Sequence, residues 1–175
     1  MIWFAALIVL VGAERLLELV VSRRNTAWSL AQGGREHGAG HYPVMVLLHG
    51  GLLVGALIEV GVADRPFLPL LGWSMLALVV VAQALRWWCI GTLGRHWSTR
   101  VVVVPGMRLV AAGPYRLLRH PNYLAVVVEG VALPLVHSAW STAIVFTAAN
   151  LALLAHRIRV EEASLRAAST REVRT

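Results

Sequence analysis

Lysine is absent from this chain, cysteine occurs once, and charged residues make up only 14% of its 175 positions. The single cysteine, Cys89, permits no internal disulfide and no cysteine-rich metal centre. Soluble domains carry about a quarter of their residues charged. Here 58% of residues are hydrophobic and the mean hydropathy is +0.67, which points to an integral membrane protein. Without lysine, the net charge of +7 rests on arginine. Such an excess can serve nucleic acid. In so apolar a chain it instead marks cytoplasmic rims and contacts with anionic headgroups, so membrane lipids are the expected partners and nucleic acid is not. Metal-ligand spacing and internal repeats are missing too. The N-terminal apolar run lacks a basic leader and continues into ERLLEL rather than a small-residue cleavage site, so it reads as a helix, not a signal peptide.

What is present is a set of apolar runs near the roughly 20 residues that a membrane-spanning helix needs. Five are expected, at about Ile2–Val21, Pro43–Val62, Leu68–Ile90, Tyr123–His137 and Ala139–Arg157. The last two are joined by VHSAWS and read as a helical hairpin, with Pro134 helping to end its first arm. Gly50, Gly51 and Gly55 are expected to allow close helix packing. The fold class is therefore an all-α integral membrane protein of about five transmembrane helices with a C-terminal helical hairpin, to which the motifs below add a cytoplasmic cofactor pocket as an expectation. It forms one membrane-embedded domain over residues 1–175, with three N-terminal helices in 1–91 and a core in 92–175.

Arginine placement sets the expected orientation. Arg23, Arg24 and Arg35 follow the first segment, and Arg95, Arg100, Arg108, Arg116 and Arg119 lie between the third and fourth. Arg157, Arg159, Arg166, Arg171 and Arg174 follow the fifth. The other two connections hold only Asp64 and Arg65, or no formal charge. The positive-inside rule places the N-terminus outside and the C-terminus in the cytoplasm, across an inner membrane. Within residues 91–122, VVVVPGMRLV (101–110) reads as a small interfacial hairpin.

Two charged motifs then fall on the cytoplasmic side. GPYRLLRHPNY (113–123) mixes Arg116, Arg119 and His120 with Tyr115 and Tyr123, and Pro121 suits a helix start. RIRVEE (157–162) places Arg157 and Glu161 four residues apart and Arg159 and Glu162 three apart, so each pair shares a helix face. Singly these are surface ion pairs and headgroup anchors. Together, at the rims of two hairpin arms, they make a polar pocket with both charge signs and aromatic walls. That mixture suits a ligand bearing a carboxylate, a cationic centre, a ribose and a purine.

GPYRLLRHPNY followed by RIRVEEASL resembles the isoprenylcysteine carboxyl methyltransferase family over about Thr92–Arg166, and more loosely the membrane phospholipid N-methyltransferases. ERLLELVVSRRN and GGREHGAGHYPVMVLLH further resemble a small bacterial branch, often found beside type III polyketide synthases and linked to O-methylation of alkylresorcinols and alkylpyrones. Eukaryotic carboxyl methyltransferases carry additional helices. The resemblance implies S-adenosylmethionine as methyl donor, bound from the cytoplasm, and methyl transfer to an oxygen of a lipophilic acceptor. It implies donor-binding roles for Tyr115, Leu118, Arg119, His120, Pro121 and Tyr123. Arg157 and Glu161 are the candidate catalytic pair and Glu162 a further donor contact, although roles could exchange among the two arginines and two glutamates.

A carboxylate acceptor needs no base, whereas a phenol or enol must lose a proton. Glu14, Glu18, His41 and His49 are the candidates on the substrate side, with pairing to Arg15 or Arg24 the alternative for the glutamates. Trp87, Trp88 and Trp97 either line a lateral opening for the acceptor or form an interfacial belt. The competing function classes are an NADPH-dependent membrane reductase, which shares a C-terminal hairpin but is much longer, and a non-enzymatic lipid-binding protein.

Overall fold

The computed structural model describes residues 1–38, 40–106 and 110–172, with side chains up to 164. Five α-helices carry the fold: α1 (Ile2–Ala31), α2 (His41–Val62), α3 (Pro69–Leu93), α4 (Pro121–Leu135) and α5 (Trp140–Glu172). Two short strands, β1 (Arg35–His37) and β2 (Val101–Val103), sit between them. Among the described residues, α2, α3 and α5 are long and apolar enough to cross a membrane. Only 17%, 28% and 28% of their most apolar windows is buried inside the protein, so most of that surface faces outward, as lipid-facing helices require. α4 has 15 residues, about 22 Å of rise, and falls short of a 30 Å hydrocarbon core. Glu14, Arg15 and Glu18 interrupt the apolar run of α1.

α1 continues ten residues past the end of its apolar stretch because its second half is polar and buried. Asn25 Nδ2 donates to the carbonyls of Gly94 (3.1 Å) and Trp97 (2.7 Å), Ser22 bonds Thr99 Oγ1 at 2.7 Å and Thr26 bonds Ser98 at 2.8 Å. A periodicity that counts only apolar residues stops at Val21 and misses this half.

The second arm of the expected hairpin over 101–110 lies outside the described residues, and its first arm has a partner elsewhere. Val101–Val103 pairs antiparallel with Arg35–His37 from the first connection, with Glu36 opposite Val102. The arm near Arg108 lies outside the described residues, as do the side chains of Arg166, Arg171 and Arg174. The all-α reading thus gains one small ladder, whose strands come from distant loops and carry no local turn signal. Arg100 strengthens it with two 2.9 Å bonds to Glu36, and its guanidinium lies 4.5 Å from the Tyr42 ring centroid.

The apolar core lies toward the other end, where Phe4, Ile8, Leu52, Ala56, Leu133 and Phe146 pack together. In the hairpin, Gly130 meets Phe146 so closely that an added Cβ would overlap the ring. Glu59, at the end of α2, accepts bonds from the Ser141 and Thr142 amides (3.1 and 2.7 Å), from the Thr142 hydroxyl (2.8 Å) and from Arg65. It caps α5 from a neighbouring helix, satisfying amides that have no intrahelical partner. Gly55 touches Thr142, but a Cβ at Gly50 or Gly51 would meet nothing within 4 Å, so close packing is not what these two glycines provide.

Candidate functional site

At the end that carries the ladder, the helices part around a cavity of about 830 Å³. Its mouth is built from the two charged motifs. Gly113, with φ of +52°, turns the chain beside Thr92 and Trp88, where a side chain would clash. The following 3₁₀ turn then places Tyr115 against α3, on the side of Cys89. Burial raises the Tyr115 phenol above its ordinary pKa, so it stays a neutral hydroxyl. Pro121 opens α4 at its first position, where its missing N–H is harmless.

Tyr123, one turn into α4, donates its hydroxyl to Glu161 Oε2 of α5 at 2.6 Å. This bond joins the two sequence motifs across the hairpin. The His120 ring stacks on Tyr123 (5.3 Å between centroids, 19° between planes), and its Nε2 lies 3.8 Å from Glu162. Arg157, buried at 5% exposure, donates to the Thr99 carbonyl at 2.7 Å and to Met45 Sδ at 3.0 Å. The expected Arg157–Glu161 partnership is therefore indirect. Glu161 is taken up by the Tyr123 hydroxyl, and the Tyr123 ring lies 5.9 Å from the Arg157 guanidinium carbon. Arg159 turns back to the carbonyl of Ala155. Thr99 belongs to the segment that α1 pins, so α1 fixes the roof on which Arg157 rests.

Of the residues singled out in the sequence, Tyr115, Arg119, His120, Tyr123, Arg157, Glu161 and Glu162 line this cavity, and so do Glu18 and His49. The other five lie off its wall. Leu118 is an exposed turn residue, and Pro121 is packed into the base of α4. Glu14 is drawn toward α3 by Gln83 and Trp87. His41 sets its ring edge-on to His156, 5.6 Å away. Trp88 is 54% exposed on the outer side of α3, whereas Trp97 is buried and does face the cavity.

The sequence offered Arg15 as a partner for Glu18, but not the buried cluster at the cavity floor to which that pair belongs. Arg86 of α3 pairs with Glu129 of α4, and Arg15 of α1 pairs with Glu18 at 2.8 Å. The two pairs are cross-linked: Arg86 Nε lies 3.6 Å from Glu18, and Arg15 Nη2 lies 3.6 Å from Glu129. Arg86 and Glu129 sit singly inside apolar runs, where an isolated charge is costly unless partnered. That cost was the available signal. Asn150 of α5, 1% exposed, also lines the cavity, and its Oδ1 has no hydrogen-bond partner among the described residues.

The arrangement separates two kinds of chemistry. The mouth offers carboxylates (Glu161, Glu162), cations (Arg119, Arg157) and a stacked aromatic pair. Between α1 and α2 the wall is apolar, with Gly12, Leu16, Val46, Gly50 and Leu53. Leu16 and Val46 are 65% and 39% exposed, so this side reaches the outer surface. A lateral opening lies here rather than at Trp87 and Trp88.

Comparison with known proteins places the chain. It is 35% identical over 163 residues to the uncharacterized protein YpbQ of Bacillus subtilis (strain 168), covering 93% of this chain and 96% of that one. It is 28% identical over 156 residues to an uncharacterized protein of Haemophilus influenzae, covering 87% and 89%. Residues 75–167, which hold both motifs and the hairpin, match the profile of the isoprenylcysteine carboxyl methyltransferase (ICMT) family. The chain belongs to that family of membrane methyltransferases.

Proposed function

We propose that this protein transfers a methyl group from S-adenosylmethionine to an oxygen of a lipophilic acceptor, with an alkylresorcinol, an alkylpyrone or a prenylcysteine-like carboxylate as the acceptor classes. The observation that carries the reading is the Tyr123–Glu161 bond at the mouth of the cavity, which brings both family motifs to one site. The whole chain works as one membrane-embedded unit of five helices. The arginine-rich connections support an orientation with the mouth in the cytoplasm and the N-terminus outside.

The residues at the mouth fit the donor. Glu161 and Glu162 suit its hydroxyl and amino groups, Arg119 or Arg157 its carboxylate, and the His120–Tyr123 stack its purine or its sulfonium charge. Asn122 supplies an independent sign, since its Oδ1 is buried on the wall without a partner among the described residues. Bound there, S-adenosylmethionine supplies an electrophilic methyl group. The chain's own contribution is to hold that group in line with the acceptor oxygen and to exclude water. Alignment of this kind removes several kcal/mol of barrier without a covalent intermediate. The buried Arg157 guanidinium steadies negative charge on the acceptor oxygen. The apolar wall between α1 and α2 admits the acceptor's tail from the membrane.

Detergent-purified protein is expected to bind S-adenosylmethionine, with affinity lost in His120→Ala and Glu161→Ala. Labelled donor then ranks alkylresorcinol, alkylpyrone and prenylcysteine acceptors. A protein that binds NADPH and no S-adenosylmethionine overturns the reading.

A further inference from the structure

The turn that carries the first motif leaves apolar surface uncovered just outside the mouth. Leu117 is 82% exposed and Leu118 43%, and Leu124, one turn into α4, is 45% exposed. Arg116 and Arg119 bracket the two leucines, both exposed and both without an ion pair among the described residues. The depth of the turn follows from its seat on α3. Gly113 opens it beside Trp88 and Thr92. α3 begins at Pro69, and Trp88 follows 19 residues later, about 28 Å along the axis. A hydrocarbon core is about 30 Å thick, so the turn rests against α3 where the acyl layer ends. Trp87 and Trp88, 42% and 54% exposed, stand at that level, as aromatic side chains do at such a boundary.

At this depth the four residues RLLR (116–119) divide by chemistry. Leucine is favoured in the acyl layer, whereas arginine lays its stem along apolar surface and carries its guanidinium outward to the phosphates. No carboxylate of the chain neutralises Arg116, so its counter-charge comes from outside, and the forked N–H groups of a guanidinium match phosphate. A soluble anion would answer Arg116 and do nothing for Leu117. An anionic lipid answers both.

We infer that this turn is a docking site for an anionic phospholipid, with Arg116 on its phosphate and Leu117 and Leu118 in the acyl layer, and that the docked lipid holds one wall of the donor site in place. The wall is the same piece of chain: Arg119 and His120 follow the leucines directly and line the cavity. Pinned to α3 at Gly113 and to the leaflet at Leu117, the turn presents Arg119 and His120 with less freedom left to lose when the donor arrives. Lipid docking stands independently of the proposed function, whereas its effect on the donor rests on that reading.

The test uses the whole chain in nanodiscs of phosphatidylcholine, alone or mixed with phosphatidylglycerol. A fluorophore on Leu117→Cys reports depth, with Gln32→Cys, exposed at the end of α1, as the aqueous control; the native Cys89 is buried. The label at 117 is expected to be quenched by lipids spin-labelled in the acyl chain, and the control by iodide. Spin-labelled phosphatidylglycerol should quench it more than spin-labelled phosphatidylcholine. Arg116→Gln in the labelled protein should remove that preference, and inorganic phosphate at constant ionic strength should leave it intact. Quenching by iodide alone, equal quenching by the two lipids, or a preference that free phosphate abolishes refutes the site. Wild type should bind S-adenosylmethionine about fivefold more tightly with phosphatidylglycerol present, the effect of one arginine at an anionic surface, and Arg116→Gln should bind it equally in both nanodiscs. A donor affinity that ignores lipid composition while the quenching runs as expected refutes the link between leaflet and mouth. Absence of donor binding in every nanodisc refutes the methyltransferase reading and leaves the lipid site standing.

Discussion

The buried floor of the cavity gives the sharpest test of how the helices are held together. Arg86 and Glu129 have side chains 5% and 6% exposed and join α3 to α4. Replacing Glu129 with Leu removes one charged hydrogen bond, a loss of about 1.5–3 kcal/mol. Truncating one member of a buried pair and leaving the other alone costs about 3–5 kcal/mol. Here the survivor is not alone, since Glu18 stands 3.6 Å from Arg86 Nε. The lower range therefore applies, and about 2–3 kcal/mol is expected for Glu129→Leu. Arg86→Met falls in the same range, because Arg15 stands 3.6 Å from the remaining Glu129. The double variant removes both charges and leaves the Arg15–Glu18 pair intact. It should lie within about 1 kcal/mol of wild type, a coupling of several kcal/mol in a double-mutant cycle. Unfolding in mixed detergent micelles, followed by circular dichroism, reads all four proteins. If the two single losses simply add in the double variant, the two side chains are not partners and the floor is wrongly described.

Other consequences can be measured separately. Tyr123→Phe removes the 2.6 Å bond to Glu161 and should weaken S-adenosylmethionine binding about tenfold by calorimetry; unchanged affinity would detach that bond from the donor site. Gly130→Ala should destabilise by about 1–3 kcal/mol because the new methyl meets Phe146, and Phe146→Leu in the same chain should recover part of it; no loss would mean that the hairpin arms are further apart. Glu59→Ala uncaps α5 and should cost about 1–2 kcal/mol in the same unfolding assay. Glu59 lies 14 residues from Met45 on α2, about 21 Å, so donor affinity should not move.

The helices were legible where hydropathy alone decides. Pro121 marks a start in sequence and in space, α3 begins within a residue of the expected Leu68, and the hairpin turns near Pro134 as expected. The mouth of the cavity was legible because its residues are crowded into two short motifs. The polar half of α1 was not, because Ser22, Asn25 and Thr26 are buried against loop carbonyls and hydroxyls rather than against apolar faces, and no periodicity registers that. The pairing of Arg35–His37 with Val101–Val103 was equally hidden, since partners so far apart in the chain leave no local trace. The floor was hidden for a different reason. Arg86 and Glu129 each read as one exception in a long apolar run, and only their meeting across α3 and α4 makes them a unit.

That small ladder has a consequence for how the protein can be divided. The family match begins inside α3, yet the strip that receives Arg157 is tied by one edge to the connection after α1 and by Ser22 and Asn25 to α1 itself. A fragment trimmed to the matched region would keep every motif residue and lose the scaffold beneath Thr99. On the proposed function, substitutions at Ser22 or Asn25 of α1 would therefore disturb the mouth without touching either motif.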